Sequence, residues 1–181
     1  MLGNDIVDLR LAKIQSNWKR QNYLSKIFVP SEQHLIYGSQ DPEIVVWQLW
    51  SMKEAAYKIV NRNTGARFYG PKEFVCNLLP NNIWGNGTVQ YQRETFLTHS
   101  FLKADYVHSL CLSLDAHPEQ IRVIPLENKG NYQDVFNSGC DGISLQKNKC
   151  GLPEIYLEST GIIHPATVSH HGAFCFVAFL T

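Results

Sequence analysis

Residues 50–58 read WSMKEAAYK, and they carry the most informative chemistry of the chain. Apolar and aromatic residues recur around them at helical spacing, so the segment predicts an α-helix. Glu54 and Lys58 are four residues apart and therefore project from one face of that helix. On its own, such a pair is most often a solvent-exposed ion pair that contributes only a few tenths of a kcal/mol.

The ends of this helix are also marked in the sequence. Asp41 is a good N-cap residue, Pro42 suits the first helical position, and Glu43 suits the positive end of the helix dipole. Residues 63–65 read NTG, which is typical of a helix C-terminus. Residues 30–32 predict the start of a further short helix.

The N-terminus supplies a second carboxylate. Residues 3–9 read GNDIVDL, and residues 2–11 predict a β-strand on which Asp5 and Asp8 face opposite ways. A strand carboxylate at Asp5 and a helix carboxylate at Glu54, with a lysine one turn further on, can hold a divalent cation and a phosphate together. The pairing therefore points to phosphate chemistry.

Both N-terminal acids also have simpler interpretations. Asp5, taken alone, is more typical of a turn or a helix cap. Asp8 can satisfy backbone N–H groups or pair with Arg10, and its position opposite Asp5 favours such a structural role. Only the agreement between separate segments of the chain favours the functional interpretation of Asp5.

The rest of the chain predicts an α+β fold, with a few helices packed on antiparallel sheet. Short runs rich in β-branched and aromatic residues are separated by turn signals at 80–82 and 85–87. The nearly apolar run 172–180 predicts a central strand, and the polar segment 127–150 predicts a short helix between loops. Strands are predicted at residues 74–79, 88–93, 96–102, 106–114, 121–126, 155–157 and 167–180.

Composition narrows the classes of protein. The 181 residues carry 16 basic and 16 acidic side chains, so the basic excess of a nucleic-acid-binding protein is missing. No apolar run approaches membrane-spanning length, and the N-terminus lacks the pattern of a secretory signal. Five irregularly spaced cysteines argue against a disulfide framework and a structural zinc site, which predicts a reducing compartment, the cytoplasm.

The chain resembles the 4′-phosphopantetheinyl transferases in three separated motifs. Residues 3–9 are similar to the family's Gly-x-Asp-Ile-x-Asp/Glu strand, and residues 50–58 to its Trp/Phe-x-x-Lys-Glu-Ala-x-x-Lys helix. Residues 167–172 read TVSHHG and are similar to its Ser-x-Ser-His segment. Residues 151–153 read GLP, which resembles its Gly-Lys-Pro element with Leu152 in the lysine position.

The resemblance implies an activity: transfer of 4′-phosphopantetheine from coenzyme A to a serine of an apo acyl or peptidyl carrier protein, as in holo-[acyl-carrier-protein] synthases of fatty acid biosynthesis. It implies Mg²⁺ held by Asp5 and Glu54, release of 3′,5′-ADP, and a catalytic role for Glu54 and Lys58. Glu54 is the candidate acceptor of the serine proton, directly or through a water. Lys58 is expected to neutralise a phosphate of coenzyme A.

The resemblance also implies which residues contact coenzyme A. They are side chains of the helix motif and of the Ser-His segment, namely Lys53, Lys58, Ser169 and His170. His171 neighbours His170 on a strand, so at most one of the two is expected to enter the site, and His171 is expected at its rim or in a structural role. A zinc site formed by His164, His170 and His171 lacks suitably spaced partners and is disfavoured.

Two departures from the family bear on the site. Some relatives carry a third acid where this chain has Val7, and Leu152 removes one phosphate contact.

The whole chain, 1–181, is expected to form one domain, with a metal-bearing half at 1–126 and a reduced partner half at 127–181 that supplies the Ser-His segment. This arrangement predicts a monomer that is an internal pseudo-dimer, with a homotrimer as the alternative.

Two other functions remain open at this point. One is a catalytically weak relative that binds coenzyme A or a carrier protein without transfer, which Leu152 allows. The other is a metal-dependent phosphohydrolase that cuts the same pyrophosphate with water. The basic stretch formed by Lys13, Lys19, Arg20 and Lys26 is either a solvated face or a patch for an acidic carrier protein.

Overall fold

Helices and strands follow one another along the chain in two successive blocks. The computed structural model describes residues 1–65, 67, 70–79 and 86–181. The first block contains β1 (Leu2–Asp8), α1 (Leu9–Gln15), α2 (Tyr23–Ile27), α3 (Pro30–Gly38), α4 (Pro42–Thr64), β2 (Phe74–Leu78), β3 (Gly87–Tyr91), β4 (Glu94–Leu102) and β5 (Tyr106–Ser113). The second contains β6 (Ile121–Glu127), α5 (Tyr132–Gly139), β7 (Ile143–Lys147), β8 (Pro153–Leu157), β9 (Ile162–His171) and β10 (Phe174–Leu180).

Each block forms one five-stranded antiparallel sheet, and the two sheets have the same topology. The strand orders are β1-β5-β4-β3-β2 and β6-β10-β9-β8-β7. In both blocks the first strand pairs with the last, and helices connect the first strand to the second. The predicted α+β class with antiparallel sheet is confirmed, and the repeated topology fits the predicted pseudo-dimer.

The boundary between the halves lies earlier in the chain than predicted. Residues 121–126 are expected in the metal-bearing half, but β6 pairs with β10 of the second sheet. The second half therefore begins at Ile121. The error has a physical reason, because a short apolar strand gives no local signal of the sheet that it will join.

Helix α4 has the predicted ends. Asp41 caps it by accepting the N–H of Ile44 at 3.3 Å, and Pro42 occupies the first turn. Gly65 ends it with φ +70°, a left-handed conformation that costs glycine little. One face of α4 is fully buried against the first sheet, and each large apolar side chain on it, such as Leu49, contributes about 1.5–3 kcal/mol.

The first strand is shorter than predicted. β1 ends at Asp8 instead of continuing to residue 11, because the Asp8 carboxylate accepts the backbone N–H groups of Arg10 and Leu11 and so starts α1. Arg10 itself pairs with Asp105 at 2.6 Å. Of the two structural roles considered for Asp8, satisfying backbone N–H groups is the one observed.

Three apolar clusters hold the layers together. The largest lies between α4 with its neighbouring helices and the first sheet. A second lies between α5 and the outer face of the second sheet, around the fully buried Phe136. The third lies between the two sheets and joins Leu2 and Leu110 to Ala178. Strand β1 is consequently packed between α4 on one face and β9 and β10 on the other.

Two of the remaining predictions for the second half hold and one is incomplete, because the segment 127–150 also contains strand β7, which was not predicted. α5 is the predicted short helix, and β10 is a central strand between β6 and β9. The predicted run 167–180 is divided by a turn at Gly172 and Ala173. The predicted turn at 80–82, and the start of the one at 85–87, lie outside the described residues. Within the described part of the chain, no helix combines the length and apolarity required to cross a bilayer.

Candidate active site

A cavity of about 260 Å³ opens where the two halves of the chain meet. Strand β1, helices α1, α2 and α4 and the end of β9 all contribute to its wall. Its polar residues include two carboxylates from the first half and two imidazoles from the second. The lining residues are Asp5, Ile6, Val7, Ala12, Ser16, Tyr23, Trp47, Trp50, Glu54, His170 and His171.

A larger cleft, of about 520 Å³, lies over the loop before α2 and beside α3. It is lined by aromatic and basic side chains, including Trp18, Lys19, Arg20 and Tyr37, and no carboxylate is among its lining residues. Volume alone would favour this cleft. The smaller cavity is the candidate active site because, unlike this cleft, it combines carboxylates and imidazoles from both halves of the chain.

Asp5 faces α4, on the side of β1 that also carries Gly3 and Val7. A Cβ on Gly3 would lie 2.0 Å from the carbonyl oxygen of Ala55, so only glycine allows β1 and α4 to approach this closely. Burial raises the pKa of the Asp5 carboxyl, and the ammonium of Lys58 opposes that rise. Val7, at the position of the third acid in some relatives, is buried in the core beneath α4.

Helix α4 presents one stripe of side chains to the cavity. Trp47, Trp50 and Glu54 follow one another at spacings of three and four residues and all line it. Glu54 was predicted in the site from the sequence, whereas Trp47 was not considered. The helical spacing from Trp47 to Glu54 is the signal that could have identified it. Tyr23, from α2, had no such signal because it reaches the cavity only through tertiary packing.

Lys58 connects the two halves of the chain beneath Asp5. Its ammonium donates to the carbonyl oxygen of Asn4 at 2.7 Å, to Oδ1 of Asp5 at 3.3 Å and to the carbonyl oxygen of Val168 at 3.3 Å. Its side chain is 29% exposed. The simple interpretation of Lys58 as a solvent-exposed partner on the helix surface is therefore wrong.

A narrow cleft of about 140 Å³ continues from Lys58 toward the second sheet. Arg62, one helical turn after Lys58, lines it and donates to the carbonyl oxygens of Pro153 and Ala166 at 2.9 and 2.6 Å. Leu152 lies in its wall. The cleft therefore carries two cations from α4 at the place where the GLP segment lacks its lysine.

Lys53 does not lie at the cavity. Its side chain is fully buried, and its ammonium donates to both carboxylate oxygens of Glu32, at 2.7 and 2.8 Å, and to the carbonyl oxygens of Pro71 and Phe74. Glu32 in turn accepts the backbone N–H of Cys76 at 2.7 Å. The predicted contact of Lys53 with coenzyme A does not fit this position, and we leave Lys53 out of the proposed site.

The two predicted residues of the Ser-His segment have different environments. Ser169 is buried, and its hydroxyl has no hydrogen-bond partner within the described residues. It is absent from the lining of the cavity. His170 is exposed at the rim of the cavity, where its ring lies 6.1 Å from the ring of Tyr132 in a stacked orientation. Of the two, His170 is the one placed to meet a ligand in this cavity.

His171 is held by strand β1, on the face of β9 opposite to His170. Its Nδ1 accepts the backbone N–H of Asp8 at 2.8 Å, and it also lines the cavity. The expectation that at most one of the two histidines reaches the site is therefore wrong. Both line the cavity because it lies across the end of β9, where side chains from either face of the strand can meet.

The side chains at the cavity suit a hard divalent cation. Asp5 and Glu54 provide carboxylate oxygens, which are the ligands that Mg²⁺ prefers, and Mg²⁺ commonly uses only one or two carboxylates and completes its shell with water and substrate phosphate. No cluster of three or more acidic, histidine or cysteine side chains occurs in the part of the chain that the structure describes. The two carboxylates are therefore the residues that could hold Mg²⁺.

Comparisons with known proteins identify the fold and the family of the chain. No curated protein sequence matches the chain. A solved structure of Helicobacter pylori holo-[acyl-carrier-protein] synthase in complex with coenzyme A is 15% identical, with a TM-score of 0.50 over 62% of this chain and 99% of that chain. This level of identity establishes a likeness of fold.

Two further solved structures are similar. Apo-ACPS from Chronobacterium ammoiniagenes is 18% identical, with a TM-score of 0.49 over 62% of this chain and 94% of that chain. Holo-[acyl-carrier-protein] synthase from Thermotoga maritima is 11% identical, with a TM-score of 0.48 over 90% and 83%. A family model described as the 4′-phosphopantetheinyl transferase superfamily matches residues 1–111, which is more than half of the chain and includes both carboxylates. The chain belongs to the 4′-phosphopantetheinyl transferase superfamily.

Proposed function

We propose that this protein transfers 4′-phosphopantetheine from coenzyme A to a serine of an apo acyl or peptidyl carrier protein and releases 3′,5′-ADP. One observation carries the proposal. Asp5 and Glu54 from the first half, and His170 and His171 from the second, line the same cavity. A site built from both halves within one chain also supports a monomer, with the homotrimer as the alternative.

Asp5 and Glu54 are the proposed Mg²⁺ ligands. When bound, the ion would neutralise charge on the pyrophosphate of coenzyme A, which is the main requirement of phosphoryl transfer. The pKa of Asp5 is raised because its negative charge is costly in the buried site. A cation at the cavity would offset this cost.

Lys58 is the proposed contact for a phosphate of coenzyme A. Its three donors are already occupied, but two of the three bonds are 3.3 Å long and therefore weak. A phosphate oxygen can replace one of these weak acceptors without breaking the 2.7 Å bond to Asn4. In this arrangement Lys58 is positioned by the backbone of both halves before any ligand arrives.

Glu54 is the proposed proton acceptor of the reaction. The serine oxygen forms a bond to the phosphorus that carries the pantetheine arm, and the anhydride bond to 3′,5′-ADP breaks. The serine proton passes to Glu54, directly or through a water, while the leaving phosphate takes the bonding electron pair. Positioning by the walls of the cavity supplies much of the remaining catalysis, since phosphoryl transfer requires little covalent help.

The carrier protein is proposed to dock beside α1 and α2. Ala12 and Ser16 line the cavity, and Lys13 and Ile14 lie between them on α1 and are exposed. Ile14 is 82% exposed and gives this surface an apolar residue beside Lys13. A surface of this kind suits an acidic partner with apolar residues.

All five cysteines are free thiols, which is compatible with the proposed cytoplasmic location.

A binding protein without transfer activity is the second candidate. The observation that favours it is Leu152, an apolar residue in the wall of the cleft beside Lys58 and Arg62, where relatives carry a lysine. Loss of that cation would weaken the binding of coenzyme A. It would have less effect on the carboxylates that are proposed to perform the chemistry. Binding and turnover therefore need to be measured separately.

The test measures release of 3′,5′-ADP from coenzyme A in the presence of Mg²⁺. Chromatography separates and quantifies the product. Release that requires an apo carrier protein supports the proposed transfer. Tight binding of coenzyme A without release supports the binding protein. Release without a carrier protein supports the pyrophosphate hydrolase, and in both of the latter cases the proposed function is wrong.

A further inference from the structure

His171 and His170 lie on opposite faces of β9. The imidazole of His171 is held against Asp8 of β1, whereas the ring of His170 stacks on Tyr132 of α5. His171 is therefore on the face of β9 that is directed toward β1, the strand that carries Asp5. His170 approaches the same cavity from the side of α5.

One hydrogen bond fixes the position of the proton on His171. The backbone N–H of Asp8 donates to Nδ1 at 2.8 Å. A ring nitrogen that accepts a hydrogen bond carries no proton, so the proton of the neutral imidazole is on Nε2. Nε2 is on the far side of the ring from this bond, and His171 lines the cavity. Its Nε2–H is therefore a candidate donor to a ligand in the cavity.

The turn after His171 keeps the ring in this place. Gly172 has a φ of +57°, and a Cβ on it would lie 2.1 Å from Oδ2 of Asp8. The same oxygen accepts the backbone N–H of Ala173 at 3.1 Å. Asp8 therefore binds this turn through its carboxylate and binds the imidazole through its N–H. The donor on Nε2 is fixed before a ligand binds.

We propose that His171 contacts the substrate directly, and that its Nε2–H donates to a pyrophosphate oxygen of coenzyme A. The proposal rests on the proposed function, which names coenzyme A as the ligand. An N–H donor suits this position because it can bind an anionic phosphate oxygen. The pyrophosphate is the expected partner because His171 shares the cavity with Asp5 and Glu54.

Two substitutions distinguish the effect of losing the Nε2–H donor from the effect of losing the hydrogen bond to Asp8. In His171→Asn, the side-chain oxygen can still accept the N–H of Asp8, but no N–H reaches the position of Nε2. In His171→Gln, the amide can place an N–H near that position but loses the acceptor. We expect His171→Asn to weaken coenzyme A binding by about ten- to hundredfold, the effect of losing one hydrogen bond to a charged group. His171→Gln should weaken it less.

Isothermal titration calorimetry of coenzyme A with each variant, at one Mg²⁺ concentration, measures these effects. Thermal unfolding checks that the Asn variant remains as stable as the wild type. Coenzyme A that lacks its 3′-phosphate should show the same fold-loss with His171→Asn. A loss seen only with intact coenzyme A would overturn the assignment to the pyrophosphate.

An independent readout is the nitrogen-15 spectrum of the His171 ring in the ligand-free protein. We expect the proton on Nε2, and a proton on Nδ1 would overturn the proposal. Wild-type affinity in His171→Asn would also overturn it, while leaving the proposed function intact. A wild-type protein that binds no coenzyme A would instead show that the proposed function itself is wrong.

Discussion

Gly3 of β1 packs directly against the backbone of Ala55 in α4, beside the candidate site. A Cβ on Gly3 would lie 2.0 Å from the carbonyl oxygen of Ala55 and 3.2 Å from the side chain of Ile59. The absence of a side chain at residue 3 therefore lets α4 pack directly on β1. Asp5 is two residues after Gly3, and Glu54 immediately precedes Ala55, so both candidate acids lie close in sequence to this contact, and both line the same cavity.

Replacing Gly3 by alanine should therefore damage stability and activity together. The added methyl must push β1 away from α4, and we expect a loss of about 3 kcal/mol in the free energy of unfolding, measured with urea. Transfer activity should fall even where the protein remains folded. Gly38→Ala is the control, because no atom lies within 4 Å of the added methyl and the stability should be unchanged or slightly higher. Equal behaviour of the two variants would contradict this account.

Glu54→Gln should remove catalysis while leaving the fold intact. The amide keeps the size of the side chain but can neither accept the serine proton nor provide a charged metal ligand. We expect the single-turnover transfer rate to fall by at least about a hundredfold, with the melting temperature nearly unchanged. Activity near the wild-type level would show that Glu54 has neither role.

Lys53 should prove to be a structural residue. It is fully buried against Glu32, so Lys53→Met leaves an unpaired buried carboxylate and should cost about 3–5 kcal/mol of stability. The double variant Lys53→Met/Glu32→Gln should recover much of this loss, because the new amide would be neutral but its oxygen could still accept the N–H of Cys76. A stable Lys53→Met protein with a raised KM for coenzyme A would contradict this assignment.

Protonation of His108 should limit stability in acid. This residue is buried between the two sheets and stacks on Phe176 at 4.3 Å. Burial, with a smaller contribution from the charge of Lys58, lowers the pKa of His108 to about 3. The unfolded chain binds this proton below about pH 6.5 and the folded protein does not, so stability falls as the pH decreases through this range.

His108→Phe isolates this effect, because the ring is kept and the titration is removed. Between pH 7 and pH 5 the wild type should lose about 2 kcal/mol more stability than the variant. Urea unfolding at several pH values measures the difference, and the contributions of other titrating groups cancel in the comparison. The same pH dependence in both proteins would be the contrary result.

The fold class and the ends of the main helix could be predicted from the sequence, because their signals are local. Asp41 and Gly65 mark the ends of α4, and alternation along β1 places Asp5 on the face that meets the helix. Glu54 entered the candidate site because residues 50–58 resemble a family motif, and its role stays a prediction. The helix ends need only the local geometry of one helix.

The missed features depend on tertiary packing. Helical periodicity does not show that Lys53 points into the core, because its partner Glu32 is 21 residues away on another helix. The alternation of β9 separates His170 from His171 but does not show which of them faces β1. The end of β1 at Asp8 likewise depends on a helix cap within a run that could have continued as a strand.

The central claim is tested most directly by the intact mass of an apo acyl carrier protein after incubation with this protein, coenzyme A and Mg²⁺. The account predicts a gain of one phosphopantetheine group, absent when EDTA removes the metal and absent with Asp5→Ala. Several acyl and peptidyl carrier proteins should be tried, because the partner is proposed only by class. An unchanged mass in all of them, from a protein that binds coenzyme A tightly, would contradict the proposed transfer.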